Sequence, residues 1–382
     1  MDRQTLRSKV FKRILLIKPS AVGDVLHTLP VLAKLRARYP MARIDWLLTP
    51  PIAELIRHHP ALTNVVAFSR RDCGRWWRSW TAAAGLVRLV VSLRRPRYDL
   101  VVDLHGQFRS ALLCLSTGSS VRVGFDRPRR GAGAPSRRRL PAEAYRHAWT
   151  GAREGAWLAY THRIPIPTLD VHAVDRYLWL GQLLGLDDGP PDFHVPVPPA
   201  SVARVEALLG RHGALERPLA LLFPGTQWET KHWPAEAFAR VARHLCATSR
   251  KVVVAGSTAE RTCCQAVAEA CPAVCDLSGQ TTLSELAALV QRSAVCVTND
   301  SGPMHLAAAL GRPVVSVFGP TDPLWIGPYG RPSAVVRAGV PCSPCYLRKL
   351  RCCPHAHACM QEVPAAAVIE RVEQALAVAG AA

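Results

Sequence analysis

Short, almost unbroken apolar runs alternate with helical stretches along this chain, and the alternation happens twice, once on each side of a proline-rich break. The first series reads RILLIK, RIDWLL, VVAF and DLVVDLHG, separated by DVLHTLPVLAKLRARY, IAELIRHH and WTAAAGLVRLVVSLRR. The second reads LALLFPG, KVVVAG, CDLSG, AVCVTND and PVVSVFG, separated by AEAFARVARHLC, LSELAALVQRS and PMHLAAALG. A strand that is apolar at nearly every position is covered on both faces, which is the condition of a parallel sheet in an α/β fold. The break itself, GLDDGPPDFHVPVPPA from Gly185 to Ala200, is rich in Pro, Gly and Asp and reads as a linker. The spacing therefore predicts two Rossmann-like doubly wound domains facing across a cleft, residues 1–185 and 201–382 joined by 186–200. VPAAAVIERVEQALAVAG closes the chain as an amphipathic helix.

The charge is as unequal as the fold pattern is symmetric. Residues 1–185 hold 31 Lys+Arg against 12 Asp+Glu, whereas the remainder holds 17 against 16, so the net charges are +19 and +1. A genome that favours arginine would charge both halves alike; a half this basic attracts a polyanion, whether nucleic acid, an anionic membrane surface or an acidic substrate. The sequence contains no run of about 18 uncharged apolar residues and no signal-peptide core near its start, from which a cytoplasmic protein is expected. The 13 cysteines are mostly scattered singly through apolar segments, as at Cys114, Cys246 and Cys296, and read as buried thiols in a reducing compartment.

Three stretches carry chemistry. IKPSAVGDVLHTLP, Ile17 to Pro30, is a strand, a turn and a helix whose first turn holds an acid, Asp24, where phosphate-binding turns avoid negative charge. By itself Asp24 reads equally as a helix cap. FPGTQWETKHWP sets Gly225, Thr226 and Lys231 near a helix start, a plausible phosphate cradle without Walker A spacing. TNDSGPMHLAAALGRPVVSVFGPTDP repeats the arrangement more strongly, with Asp300, Ser301 and Gly302 leading into the helix of His305. A helix N-terminus, with free amides and about half a positive charge, suits a pyrophosphate.

Those stretches, with DLVVDLHGQFRSALL, GAREGAWLAYTHRI and HAVDRYL, occur in an order that resembles the heptosyltransferases of glycosyltransferase family 9, and the resemblance spans nearly the whole chain. It implies a GT-B architecture with the acceptor on the first domain and the nucleotide sugar on the second. It implies inverting transfer of heptose from ADP-heptose to the Kdo/heptose inner core of lipopolysaccharide, by an enzyme peripheral on the inner face of the inner membrane. A phosphorylated, Kdo-bearing lipid A is a polyanion of the kind the basic half would bind. Asp24 matches the family's proposed base, which takes the proton of the attacking hydroxyl, and Gly23 is expected to let the backbone turn closely enough to present it. Thr226 and Lys231 are expected on the phosphates, and Asp300, Ser301, Gly302 and His305 on the sugar and diphosphate. Asp300 also reads as the Asx cap of its own turn. Glu260 is placed to accept from ribose hydroxyls, or else is a solvated helix acid. On the acceptor side stand His105, Gln107, Arg109 and Arg153, with His172 and Arg176 four apart on one helix face; a surface or structural role competes for each. No Asp-x-Asp occurs in the chain, so metal-independent catalysis is expected, with Lys231 and the Ser301–Gly302 amides stabilising the leaving ADP. No cofactor is implied.

RRDCGRWWRSW sets Trp76, Trp77 and Trp80 among Arg70, Arg71, Arg75 and Arg78, which suits an anionic membrane interface or, alternatively, core tryptophans beside loop arginines. RPRRGAGAPSRRR reads as a basic loop over the acceptor. CSPCYLRKLRCCPHAHACM resembles tails of second-heptosyltransferase type, whereas the N-terminal motifs resemble the first type. Cys342, Cys345, Cys352 and Cys359 have the spacing of a structural zinc site, but a structural or incidental thiol cluster is the preferred reading. Two other classes compete. A nucleic-acid-binding protein would group its metal site with its basic residues, yet the cysteines lie in the neutral half. A Rossmann dehydrogenase would carry G-x-G-x-x-G after its first strand, and this chain does not. Within the family, another nucleotide sugar or acceptor remains an alternative.

Overall fold

A computed structural model describes residues 4–69, 79–127, 149–248 and 250–380. Its chain divides into two compact units, one made of the described residues up to Arg127 with Trp149–Pro196, the other beginning at Val197. The first unit contains one sheet of β1 (Arg13–Ile17), β2 (Arg43–Leu48), β3 (Asn64–Ala67), β4 (Leu100–Asp103), β5 (Arg122–Phe125) and β6 (His162–Ile164), in the order β3-β2-β1-β4-β5-β6. Every neighbouring pair is parallel, with Leu16 of β1 opposite Trp46 of β2 on one side and Val102 of β4 on the other.

The second unit repeats the topology with β7 (Leu219–Phe223), β8 (Lys251–Val254), β9 (Cys275–Asp276), β10 (Ser293–Asn299), β11 (Val314–Val317) and β12 (Val335–Val336), all parallel in the order β12-β11-β10-β7-β8-β9. In each sheet the first strand of the unit lies beside the fourth, and the connections leave in opposite directions from that pair. Such a reversal opens a crevice at the carboxyl ends of the two strands, where α/β sheets bind ligands. The predicted α/β, doubly wound class is the observed one.

The unbroken apolar runs are explained by burial: Ile14 to Ile17 of β1 and Leu219 to Leu222 of β7 are each at most 1% exposed. The segment read as one helix from Asp24 to Tyr39 is two, Val22–Leu26 and Leu29–Arg38, because Pro30 has no N–H to give and is accommodated only in a first turn. In the second unit the Ala235–Ala247 helix buries Phe238, Val241 and Leu245, and the closing Ala365–Gly380 helix adds Val368 and Val372 to the same core. Thr282 and Glu285 cap the Leu283–Arg292 helix reciprocally, at 3.3 Å and 2.8 Å.

The proline-rich break is less free than its composition implies. Gly185, at φ +66°, ends a short helix, Gly181–Leu184, and Lys34 then donates to Asp187 Oδ1 and to the Gly189 carbonyl, both at 2.7 Å. Its path to Pro196 belongs to the first unit, and the Pro199–Arg211 helix opens the second. Arg70, Arg71, Arg75, Trp76, Trp77, Arg78 and positions 128–139 of the basic loop lie outside the described residues. Trp80 is described and is 93% exposed, so the alternative that it is a core tryptophan fails. Among the described residues no helix is long and apolar enough to cross a membrane.

Candidate active site

At the reversal point of the first unit, β1 runs into the turn Lys18–Ala21 and then the Val22–Leu26 helix, on which Asp24 is the third residue. Its Oδ2 accepts from the Ala21 amide at 3.3 Å, so the capping role is real but uses one oxygen. The other oxygen accepts from the Tyr177 hydroxyl at 3.0 Å and lies 3.5 Å from Lys18 Nζ. Lys18 is 7% exposed at its side chain and also donates to the Leu104 carbonyl at 3.3 Å, just past β4, which ties the two strand ends together. Burial pushes the Asp24 carboxyl up, but Lys18, His105, the Tyr177 hydroxyl and the Ala21 amide outweigh it and hold the group below the ordinary aspartate value. Burial and the Asp24 charge push Tyr177 up to about 12, so its hydroxyl stays a donor. Burial opposes the Lys18 charge as well, and Asp24, with Tyr177 and Asp103 behind it, more than restores it. The result is an ionised carboxylate, pinned from two sides, with 43% of its side chain still open to solvent. Gly23 does not act as the expected hinge: it is buried inside the helix, with no left-handed φ, and the turn is made before it.

Beyond β4, buried Asp103 organises the next turn. It accepts from the His105 amide at 2.9 Å, from the Gly106 amide at 3.2 Å and from the Tyr160 hydroxyl at 2.8 Å. Tyr160 reaches it across Gly124, where a Cβ would lie 2.4 Å from the ring. The imidazole Nε2 of His105 pairs with Gln107 Oε1 at 3.1 Å, and His105 acts electrostatically on Asp24, so His105 is brought to the same strand ends as Asp24. Arg109 is exposed on the Phe108–Ser116 helix, and the Arg153 amide donates to the Gly106 carbonyl at 2.7 Å. His172 and Arg176 do not share a helix face. His172 is the extended N-cap of Ala173–Leu178, its Nδ1 accepting from the Val174 amide at 3.2 Å, while Arg176 is 4% exposed with its guanidinium 4.7 Å from the Trp149 ring centre. Lys18 and Tyr177 were missed as site residues although both lie inside quoted motifs; the contact that joins Tyr177 to Asp24 spans 153 residues and leaves no local pattern.

At the second unit's reversal point, Asn299 ends β10 fully buried and fixes two turns, accepting from the Trp233 amide at 3.1 Å and donating to the Pro224 carbonyl at 2.8 Å. The neighbouring Asp300 carboxylate receives Thr321 Oγ1 at 2.5 Å and Lys231 Nζ at 2.6 Å. It is therefore committed to groups from other elements instead of capping its own turn. Thr226 Oγ1 is 3.5 Å from the Asp300 carbonyl. Ser301 is the N-cap of Gly302–Ala309; in its first turn Pro303 has no N–H and the Met304 amide donates to the Ser301 carbonyl at 3.2 Å, which leaves the Gly302 amide at the helix start, with half-buried His305 on the following turn. Glu260 is not a solvated helix acid: its Oε2 accepts from both the amide and the hydroxyl of Ser257 at 2.7 Å, and a Cβ on Gly225 would lie 2.5 Å from its carboxyl carbon. Thr226, Lys231, Glu260, Asp300, Ser301, Gly302 and His305 thus all lie on turns at the carboxyl ends of β7, β8 and β10 or on the helix that follows.

The cysteine-rich tail packs on the same side of this unit. Thr230 Oγ1 donates to the Leu347 carbonyl at 2.5 Å and His357 Nε2 lies 2.7 Å from the Thr230 carbonyl. Cys342, Cys345, Cys352 and Cys359 are free thiols, Cys352 exposed and Cys359 buried. Among the described residues no three His, Cys, Asp or Glu side chains are arranged to hold a metal ion.

The profile of glycosyltransferase family 9 (heptosyltransferase) matches residues 86–149 and 139–354. Lipopolysaccharide heptosyltransferase 1 of Pseudomonas aeruginosa is 32% identical over 341 residues, covering 87% of this chain and 86% of that protein. Lipopolysaccharide heptosyltransferase 1 of Escherichia coli K12 is 28% identical over 331 residues, covering 85% and 93%. Among solved structures, the E. coli heptosyltransferase WaaC with ADP-2-deoxy-2-fluoro heptose superposes with a TM-score of 0.70 at 25% identity, over 95% of this chain and 99% of that one.

Proposed function

The chain belongs to glycosyltransferase family 9, and from that membership we propose that it transfers heptose from ADP-heptose to the Kdo/heptose inner core of lipopolysaccharide, with inversion and without a metal ion. The observation that carries the reading is Asp24, a half-buried carboxylate still open to solvent and held ionised by Lys18 and Tyr177 at the reversal point of the more basic unit. The first unit takes the acceptor and the second the nucleotide sugar. The acceptor hydroxyl attacks the anomeric carbon, the bond from that carbon to the diphosphate oxygen breaks, and the hydroxyl proton passes to Asp24. A carboxylate of low pKa is a weak base, but the hydroxyl becomes strongly acidic as its new bond forms, so ionisation matters more than basicity. The departing ADP is met by Lys231 and the amides of Ser301 and Gly302.

The acceptor's acidity fits the +19 balance of residues 1–185. The anionic inner face of the inner membrane is the proposed surface of attachment. On the Trp80–Arg94 helix, Trp80, Val87 and Val91 are 93%, 61% and 56% exposed, with Arg88 nearby, a face of the composition that suits lipid headgroups.

The deciding assay is transfer from ADP-heptose to Kdo₂-lipid A and, separately, to the mono-heptosylated product. Transfer to one of them, undiminished in EDTA, supports the reading and assigns the acceptor. Activity in EDTA-treated enzyme that returns only with Mg²⁺ or Mn²⁺ defeats metal independence, and failure with both acceptors despite ADP binding moves the proposal to another sugar or acceptor.

A further inference from the structure

A diphosphate that leaves without a metal must be neutralised by the protein, and the groups assigned to it above fall short. The bond from the sugar to the diphosphate breaks with its electrons on oxygen, so negative charge grows on a group already anionic. Lys231 is 2.6 Å from Asp300, and that pair is neutral as a unit. Thr226 and the amides of Ser301 and Gly302 bring dipoles, and the helix end about half a charge. A full cation without its own carboxylate is missing.

Arg348 meets the requirement. It is exposed, and no carboxylate among the described residues pairs with it. Its guanidinium carbon lies 4.6 Å from the centre of the Trp228 ring, and Lys231 Nζ lies 4.2 Å from the centre of the same ring. One indole therefore gathers both cations, each drawn to its negative face. The position of Arg348 is set from both sides by the loop that carries Lys231. Leu347 accepts from Thr230 Oγ1 at 2.5 Å, and the Leu350 amide donates to Glu229 Oε2 at 3.0 Å. Tyr346, 6% exposed, donates its amide to the Pro320 carbonyl at 2.7 Å and anchors the segment one residue earlier. An arginine held this way keeps a planar fork of donors free for phosphate oxygens.

We propose that Arg348 is a second diphosphate-binding cation of the donor site, delivered by the cysteine-rich tail and aligned with Lys231 on Trp228. This rests on the reading of the second unit as the ADP-sugar site. The tail is then part of the binding machinery, and its packing on the Glu229–Lys231 turn is what delivers the charge.

The test measures binding of ADP and of adenosine by calorimetry to the full chain and to R348Q, R348K and K349Q, at several salt concentrations, with circular dichroism to confirm folding. Expected are an ADP affinity lower by about 10-fold to 100-fold in R348Q, a shallower salt dependence, an intermediate R348K, unchanged K349Q and unchanged adenosine binding throughout. ADP binding by R348Q equal to that of the unsubstituted protein, or an equal loss for adenosine, overturns the proposal. An unsubstituted protein that binds no ADP overturns the donor-site reading itself, and Arg348's role with it.

Discussion

Lys231 and Asp300 form an ion pair 2.6 Å long between side chains that are 11% and 4% exposed, joining the turn after β7 to the end of β10. The cost of removing two charges from water is offset there by a third partner, Thr321, whose hydroxyl donates to the same carboxylate oxygen. The pair thus has two functions that mutation separates: it holds two turns together, and it keeps an ammonium at the place proposed for the diphosphate.

Lys231→Met leaves the Asp300 carboxylate buried without its ammonium partner, which is expected to cost about 3–5 kcal/mol of stability and to make the proposed donor site repulsive to ADP. The Lys231→Met/Asp300→Asn double variant removes the orphan charge. Its melting temperature is expected to recover most of the loss while ADP affinity stays low. Parallel recovery of both quantities contradicts the division of roles.

Asp24→Asn keeps the shape and the Tyr177 contact but cannot take a proton. Transfer is expected to fall by about 10²–10⁴-fold, the range of a general base, with ADP affinity unchanged. The melting temperature drops as well, because Lys18, 7% exposed, loses its counter-charge. A rate within a few-fold of the unsubstituted enzyme removes Asp24 from the mechanism.

The pH profile tests Asp24 as the proposed base and separates it from its surroundings. Burial raises the Asp24 carboxyl, but Lys18 leads the groups that take it below its ordinary value, so it stays ionised until the pH falls through that depressed point. The acid limb of kcat/KM due to Asp24 therefore lies below about 3.9, the ordinary aspartate value. The stability Asp24 contributes has the same sign, present above the unfolded pKa and lost as the pH falls. In Lys18→Met burial has less to oppose it, and the limb moves upward. A limb at the same pH in both proteins means that another group sets it.

The sequence made most strands of both sheets legible, because a strand covered on both faces is apolar nearly throughout, as at Leu15 and Leu221. Interior β5, whose run is broken by Arg122 and Gly124, escaped, as did the edge strands β6 and β12, although the edges β3 and β9 did show. In β6 Arg163 is exposed between His162 and Ile164, and β12 is two residues long, so neither shows a run. The turns that hold Asp24, Thr226 and Asp300 were legible because the chain must turn at each strand's carboxyl end. What lay beyond local pattern was pairing: nothing in HAVDRYL says that Tyr177 rather than His172 reaches Asp24, and nothing in VTND says that Asn299 ties Pro224 to Trp233. Composition likewise misjudged the proline-rich break, where one buried cation, Lys34, docks the chain onto the first unit through Asp187 and Gly189.

The membrane proposal stands on a helix face whose apolar side chains are out in solvent. Trp80, Val87 and Val91 recur at helical spacing and are 93%, 61% and 56% exposed, while Leu89 and Leu93 of the same helix are 7% and 0% exposed and fill the core. Apolar groups on that outward face gain nothing from water, and Arg88 beside them gives the face the charge that anionic lipid attracts, worth about 1 kcal/mol for each basic residue near the surface. Trp80→Ser with Val87→Ser removes the apolar contact without touching the core, so the melting temperature is expected to hold. Co-sedimentation with vesicles containing anionic lipid is expected to fall several-fold, and the remainder to be abolished by high salt, since it is purely electrostatic. Transfer to a short, water-soluble acceptor is unchanged in this variant, while transfer to acceptor embedded in vesicles drops with binding. Equal vesicle binding by the variant and the unsubstituted protein shows that this helix does not meet the membrane.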